Sequence, residues 1–180
     1  MKMSSTEKLI ILMLCDIHKK LEIEDSINPD LVERAIQSNN TWGLSWAYSA
    51  LESESKEDQD PEEVEFVADV LDMYNFIEFS FGQLSEPEKE NVRSGVSWLS
   101  ENPSFPGFYG NTESRYLSIA RFLVDELNRW EEFKGRIRNS HMPMADGYRR
   151  MLPIYKSIIS SGSSLSDQNL IEILEARTSG

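Results

Sequence analysis

The chain has 180 residues, a net charge of −13 and a hydrophobic fraction of 39%. This length suffices for one domain with a hydrophobic core, and the composition is that of a globular protein, not a disordered one. The acidic balance argues against general nucleic-acid binding, because affinity for phosphate backbones comes mainly from clustered lysine and arginine. The single cysteine, Cys15, excludes an internal disulfide framework and lies in an apolar run, where a buried thiol is expected.

Capping signals and helical spacing predict three helices before residue 52. Ser4 and Glu7 have the spacing of a capping box, so a first helix is expected from about residue 5 to residue 21. Asn28 and Pro29 then offer an N-cap and a proline at the first helical position. The apolar run of the first helix is too short to span a bilayer, and no signal-peptide cleavage site follows it. We therefore expect a cytoplasmic protein that makes no membrane contact.

The middle of the chain combines an acidic stretch with its most apolar helix. Residues 52–63 are predicted to form an acidic, exposed connection, which ends where Pro61 restarts a helix. The helix that follows carries apolar side chains over so much of its circumference that a central position in the fold is expected. The alternation between Phe76 and Phe81 resembles a strand, but the sequence offers no partner strand and the helix is preferred.

The C-terminal half predicts helices that are separated by two loops. Ser85 begins a shorter helix, and the prolines and glycines of residues 100–111 end it. Asn111 is predicted to cap a long helix that includes Trp130 and ends at Gly135 or shortly before it, with Glu113 in its first turn. A second loop at residues 139–144 precedes another helix, and residues 160–180 contain a last short one. The sequence thus predicts an all-α fold, a single compact domain over residues 1–180 with about seven to eight helices.

Four stretches of the chain resemble the YfbU family of bacterial and archaeal proteins. They are TEKLIILMLCDIHKKLE at residues 6–22, VLDMYNFIEFSFGQL at 70–84, GFYGNTESRYLSIARFL at 107–123 and NSHMPMADGYRRML at 139–152. The resemblance extends over nearly the whole chain and implies a mostly helical cytoplasmic domain whose function is not established. It supplies no catalytic residues to transfer. Tyr109 stands where the family loop commonly has an aspartate, which argues against a carboxylate role at that position.

The sequence contains no motif that identifies a cofactor or a metal. It lacks the phosphate-binding G-x-x-x-x-G-K-[ST], the dinucleotide-binding G-x-G-x-x-G, the zinc-binding H-E-x-x-H and any C-x-x-C pair. One cysteine and two histidines are also few for a structural zinc site. We therefore expect no cofactor and assign no catalytic residue.

Seven residues in or beside the two loops are candidate ligand-binding or partner-binding residues. They are Asn111, Glu113, Arg115, Tyr116, His141, Arg149 and Arg150. A histidine between cationic segments can donate hydrogen bonds to an anion together with arginines, and a helix N-terminus also attracts anions. The alternative is that the aromatic side chains of residues 105–109 only anchor the loop to the core. A binding site requires the two loops to converge.

Three hypotheses of function remain open. The first is a non-catalytic interaction or regulatory module that forms a homodimer and binds a protein partner, which the abundant aromatics and uneven charge favour. The second is a protein or enzyme that binds a small anionic ligand between residues 105–116 and 139–150. The third is a helix-turn-helix DNA reader. In that case the second helix would offer only Arg34 for phosphate contacts.

Overall fold

The computed structural model of the protein describes residues 3–24, 26–48, 61–160 and 165–178. The described residues form eight α-helices, with a π-helical turn at Phe122–Glu126 and a 3₁₀ turn at Glu131–Phe133. The helices are α1 (Ser5–Lys20), α2 (Pro29–Gln37), α3 (Gly43–Ala47), α4 (Glu62–Gln83), α5 (Glu86–Gly95), α6 (Ser114–Arg121), α7 (Ala145–Ser160) and α8 (Asp167–Glu175).

The prediction of an all-α fold is confirmed. The only β structure within the described ranges is a single bridge between Phe108 and Asn139. No helix in these ranges has the length and apolarity needed to cross a bilayer. The predicted acidic connection at 52–63 lies outside the described residues, apart from its last three positions.

Helix α4 forms the centre of the core, as its apolar circumference predicts. It packs against α6, α7 and α8. Eight of its side chains are buried, namely Val64, Val67, Val70, Leu71, Met73, Tyr74, Ile77 and Phe81. Residues 76–81 are helical, so the choice of helix over strand at this place is also confirmed.

The N-terminal helices begin where their capping residues predict. The side chain of Ser4 accepts the backbone amide of Glu7 and the glutamate carboxylate bonds back to Ser4, which completes the capping box of α1. The Asn28 side chain caps α2, with Pro29 in its first turn. Helix α1 packs mainly on α2, and α2 in turn contacts α3.

The prediction of one long helix from Asn111 to about Gly135 is wrong. The Asn111 side chain instead donates to the Tyr109 hydroxyl, and Glu113 occupies the N-cap position of α6. The helix widens into the π-helical turn after Arg121, and Trp130 has a left-handed backbone with φ of 46°. The spacing of apolar residues does not reveal where this helix ends, because Leu127 and Trp130 continue the apolar periodicity beyond the last helical turn.

Candidate functional site

The two loops that carry the candidate residues converge. The Asn139 side-chain oxygen accepts from the amides of Gly110 and His141, each at 3.0 Å. The amide of Ser140 also donates to the Phe108 carbonyl at 3.2 Å. We refer to residues 105–113 together with residues 139–145 as the loop junction. The geometric condition for a shared site is met here.

The carboxylate of Glu113 holds the loop junction together. One oxygen accepts the amide of Tyr109 at 2.8 Å, and the other accepts the amides of Met144 and Ala145 at 2.8 Å each. Only 8% of Glu113 is exposed. Because Ala145 is the first residue of α7, the carboxylate caps that helix from another part of the chain and lies at the positive end of its dipole. Its acceptor capacity is therefore used inside the fold.

The aromatic residues of the loop junction pack into the core. Phe105 and Phe108 are buried and their rings lie 5.8 Å apart, with Tyr148 at 5.4 Å from Phe108. The Tyr148 hydroxyl donates to the Gly107 carbonyl at 2.7 Å. Gly107 has φ of 90°, and a Cβ there would lie 1.9 Å from the Arg138 carbonyl oxygen. This loop therefore needs glycine at position 107 and is anchored by its aromatic side chains.

Two buried tyrosines lie side by side beneath the loop junction. Burial raises the pKa of Tyr74 to about 12, although the Arg177 guanidinium acts in the opposite direction. Burial also raises the pKa of Tyr148 well above its ordinary value. The rings are 5.6 Å apart, and the Tyr74 hydroxyl has no hydrogen-bond partner among the described residues. Both hydroxyls are protonated at neutral pH, so neither supplies a base there.

Arg149 and Tyr116 are the candidate residues that the structure brings into direct contact. The Arg149 guanidinium donates to the Tyr116 hydroxyl at 2.8 Å and lies 4.8 Å from the centre of the Phe66 ring. It also pairs with Asp146 at 3.1 Å, one turn earlier on α7. The Arg149 side chain remains about half exposed, so its charge is accessible at the surface.

Arg115 and Arg150 bind other parts of the fold. Arg115 donates to the Asn40 side chain at 2.8 Å, and it pairs with Glu63 at 3.6 Å. Arg150 donates to the Ala176 carbonyl at 3.1 Å and to the next carbonyl, and so satisfies the C-terminal end of α8. These contacts leave Arg149 as the arginine that the structure places beside Tyr116.

His141 and Asn111 lie exposed at the surface of the loop junction. His141 has φ of 59°, a left-handed conformation in which its backbone amide turns inward to Asn139. Asn111 bonds to the Tyr109 hydroxyl at 2.7 Å. The structure therefore places Asn111, Glu113 and His141 at the loop junction and Arg149 with Tyr116 beside it, while Arg115 and Arg150 bind elsewhere.

A groove that sequence reasoning missed lies between α2 and α6, with a volume of about 650 Å³. The residues along it include Arg34, Asn40, Ser118, Arg121, Asp125 and Glu126. Arg34 and Glu126 pair at 2.5 Å. Asn40 is fully buried and bonds to Ser118, Trp42 and Arg115, so its polar atoms are satisfied. The groove therefore presents mixed charges and internally paired polar groups.

Most of the large hydrophobic side chains that are exposed among the described residues lie on or just after α1, where the sequence predicted an ordinary helix. We refer to six of these residues as the apolar stripe: Leu9, Ile10, Met13, Leu14, Ile17 and Leu21. Their exposed fractions lie between 51% and 65%. On a helix of 3.6 residues per turn, Ile17 points away from Cys15, the buried residue of α1. Burial raises the pKa of the Cys15 thiol, which faces the interior of the fold. Helix α1 is therefore apolar on two opposite sides, and the fold covers one.

Comparison with known proteins finds one matching domain family and several similar proteins. The sequence model of the YfbU domain matches residues 1–176. A UPF0304 protein of Methanocaldococcus jannaschii is 29% identical over 125 residues, which cover 66% of this chain and 71% of that protein. A UPF0304 protein of Pasteurella multocida and another of Actinobacillus succinogenes are each 28% identical over 178 residues, which cover 98% of this chain and 100% of theirs. No solved structure matches the chain.

Proposed function

This chain belongs to the YfbU family, and on that premise we propose a non-catalytic interaction or regulatory role, exercised through the exposed side of α1. The observation that carries the proposal is the apolar stripe, whose six side chains are each more than half exposed. Eight of the eleven large hydrophobic residues exposed among the described residues fall between Leu9 and Ile27. Monomeric soluble proteins rarely expose contiguous apolar patches above a few hundred Å², and larger patches commonly mark interaction sites.

The spacing of the apolar stripe supports recognition by another helix. Ile10, Met13, Leu14, Ile17 and Leu21 recur at three-, four- and seven-residue intervals. This is the anchor pattern by which amphipathic helices bind helical surfaces. Helix α1 also packs mainly on α2, so a second helix has room to approach from the opposite side.

The contacts of the loop junction favour this role over catalysis. The Glu113 carboxylate accepts three backbone amides and is buried, and a carboxylate held in this way is poorly suited to proton transfer. Arg150, which follows the junction on α7, has both of its described bonds to the backbone carbonyls of Ala176 and Arg177, just after α8. These observations support an architectural role for the junction.

Site-specific crosslinking in the cells that produce the protein tests this proposal. A photo-crosslinking amino acid at Met13 lies in the apolar stripe, and the same amino acid at Glu86, which is 78% exposed, provides the control. We expect covalent adducts with an identifiable protein from position 13 and none from position 86. Folded protein that gives no adduct at position 13 would contradict the proposal.

A small anionic ligand at the loop junction is the second candidate function. The convergence of the loops favours it, since Asn139 joins Gly110 to His141 and Arg149 stays half exposed nearby. Native mass spectrometry of the purified protein tests it directly. A retained anionic metabolite that disappears in His141→Ala would support the ligand site, and identical spectra without adduct would contradict it. The DNA-reader hypothesis has less support, because Arg34 is paired with Glu126.

A further inference from the structure

We infer that the partner of the apolar stripe is the same stripe of a second copy, packed antiparallel about a two-fold axis between Met13 and Leu14. This inference rests on the proposed function and names its partner. A two-fold interface uses one surface patch on both subunits, so the patch must be complementary to itself. The apolar stripe meets this requirement in area, charge and spacing.

The chain itself holds no suitable cover for the apolar stripe. The residues outside the described ranges are mostly serines, acids and glycines, and their only apolar members are Met1, Ala50 and Leu51. Six half-exposed aliphatic side chains need a partner of comparable apolar area. These residues outside the described ranges do not offer that area, and a second copy does.

The exposed area approaches what a dimer requires. Ile23 and Ile27, at 47% and 48% exposed, extend the apolar stripe past the end of α1. At roughly 100 Å² of apolar area for each such side chain, these eight residues offer about 800 Å² per copy, and a standard interface buries about that much per partner. The stripe and its extension are therefore large enough for a specific two-fold contact.

The charges of α1 are compatible with contact between two copies. The chain has a net charge of −13, so most approaches between two copies are repulsive. Helix α1 is an exception, since Lys8, Lys19 and Lys20 stand against Glu7 and Asp16. The apolar stripe therefore lies on a helix whose own charges nearly balance.

The order of residues along α1 selects the antiparallel arrangement. With the axis between Met13 and Leu14, Ile10 lies opposite Ile17 of the partner subunit, and the first turn with Glu7 lies at the level of the last turn with Lys20 of the partner subunit. A parallel arrangement would instead bring the two Glu7 residues together and the two Lys20 residues together. Opposite charges in register favour the former, and like charges disfavour the latter.

Engineered cysteines distinguish the two arrangements in the full chain. In a Cys15→Ala background, Met13→Cys places its thiol near the axis, whereas the two thiols of Leu21→Cys would be about 22 Å apart along an antiparallel pair. We expect a dimer mass in native mass spectrometry. Under mild oxidation, disulfide-linked dimer should form at least tenfold faster for Met13→Cys than for Leu21→Cys. The double variant Met13→Glu/Ile17→Glu should be monomeric.

The possible failures separate this inference from the proposed function. A dimer in which Leu21→Cys crosslinks as fast as Met13→Cys would overturn the antiparallel register, while the interaction role stands. A monomer at all concentrations would overturn the second copy as partner. In that case an adduct between position 13 and a different protein in cells would still support the interaction role. If no such adduct formed, both the interaction role and the two-fold dimer would be contradicted.

Charge reversal provides an independent measurement of the register. Lys20→Glu should raise the dimer dissociation constant about three- to tenfold, because it places an acid at the level of the acidic first turn of the other copy. Lys8→Glu makes the same charge change on the α2 side of the same helix and serves as the control, with no comparable effect expected. Equal effects from the two variants would contradict the proposed pairing.

Discussion

The loop junction and the apolar stripe each have a role opposite to the one that their residue types suggest. The junction and the arginines that flank it, with a histidine and a glutamate, have the residue types of a ligand site, yet most of their hydrogen bonds join one part of the fold to another. The stripe has the composition of a core segment, yet its six side chains are more than half exposed. Polar residues therefore stabilise the interior here, while apolar ones form the surface best suited to recognition. Substitutions in the two regions should separate these roles.

The largest expected effect is at Glu113. Glu113→Ala leaves the amides of Tyr109, Met144 and Ala145 without their acceptor in a buried setting. We expect a loss of about 3–5 kcal/mol in the free energy of unfolding, measured by urea denaturation. Glu113→Gln keeps one acceptor oxygen and should lose about half as much. A loss below about 1 kcal/mol in the alanine variant would contradict the central role given to this carboxylate.

Alkaline pH should weaken the same region through its buried tyrosines. The pKa values of Tyr74 and Tyr148 are raised by burial, so the unfolded chain releases these protons first, near pH 10. Their contribution to stability is complete below that pH. Above it, stability falls by up to about 1.4 kcal/mol per pH unit for each tyrosine. Denaturation at pH 8 and pH 11 checks this, and Tyr74→Phe should show a smaller decline than the wild type.

Arg150 and Arg149 should differ although they are adjacent. Arg150→Ala removes the donors for the last carbonyls of α8 and should cost about 1–2 kcal/mol in the free energy of unfolding. Arg149→Ala removes an exposed contact with the Phe66 ring, for which we expect about 0.5–1 kcal/mol. Thermal and urea denaturation measure both. Equal losses would indicate that the two arginines share one structural role.

The smallest effect on the folded subunit is expected in the apolar stripe. Met13→Ser changes a side chain that is 57% exposed, so the unfolding free energy of the dilute, monomeric chain should change by less than about 0.5 kcal/mol. Met73→Ser provides the matched control, because Met73 is fully buried on α4 and should lose several kcal/mol. A stripe variant that unfolds as readily as the Met73 variant would show that α1 is covered within its own subunit.

Local signals in the sequence determined where most helices begin. The serine and glutamate of the α1 capping box and the Asn28–Pro29 pair act within one helical turn, so their effect is readable from spacing alone. The central position of α4 followed from its apolar circumference. The all-α class and the likeness to the YfbU family rest on the same local patterns, and both are confirmed.

Only the tertiary structure decided which side of a helix is covered and which partner a polar residue takes. Periodicity marks the apolar residues of α1, but the side that stays exposed depends on where α2 packs. Glu113 meets Met144 and Ala145 across about thirty residues, a distance over which no sequence spacing carries information. The physical reason is common to both cases, since helix formation is governed by neighbours along the chain, while burial and buried hydrogen bonds depend on neighbours in space.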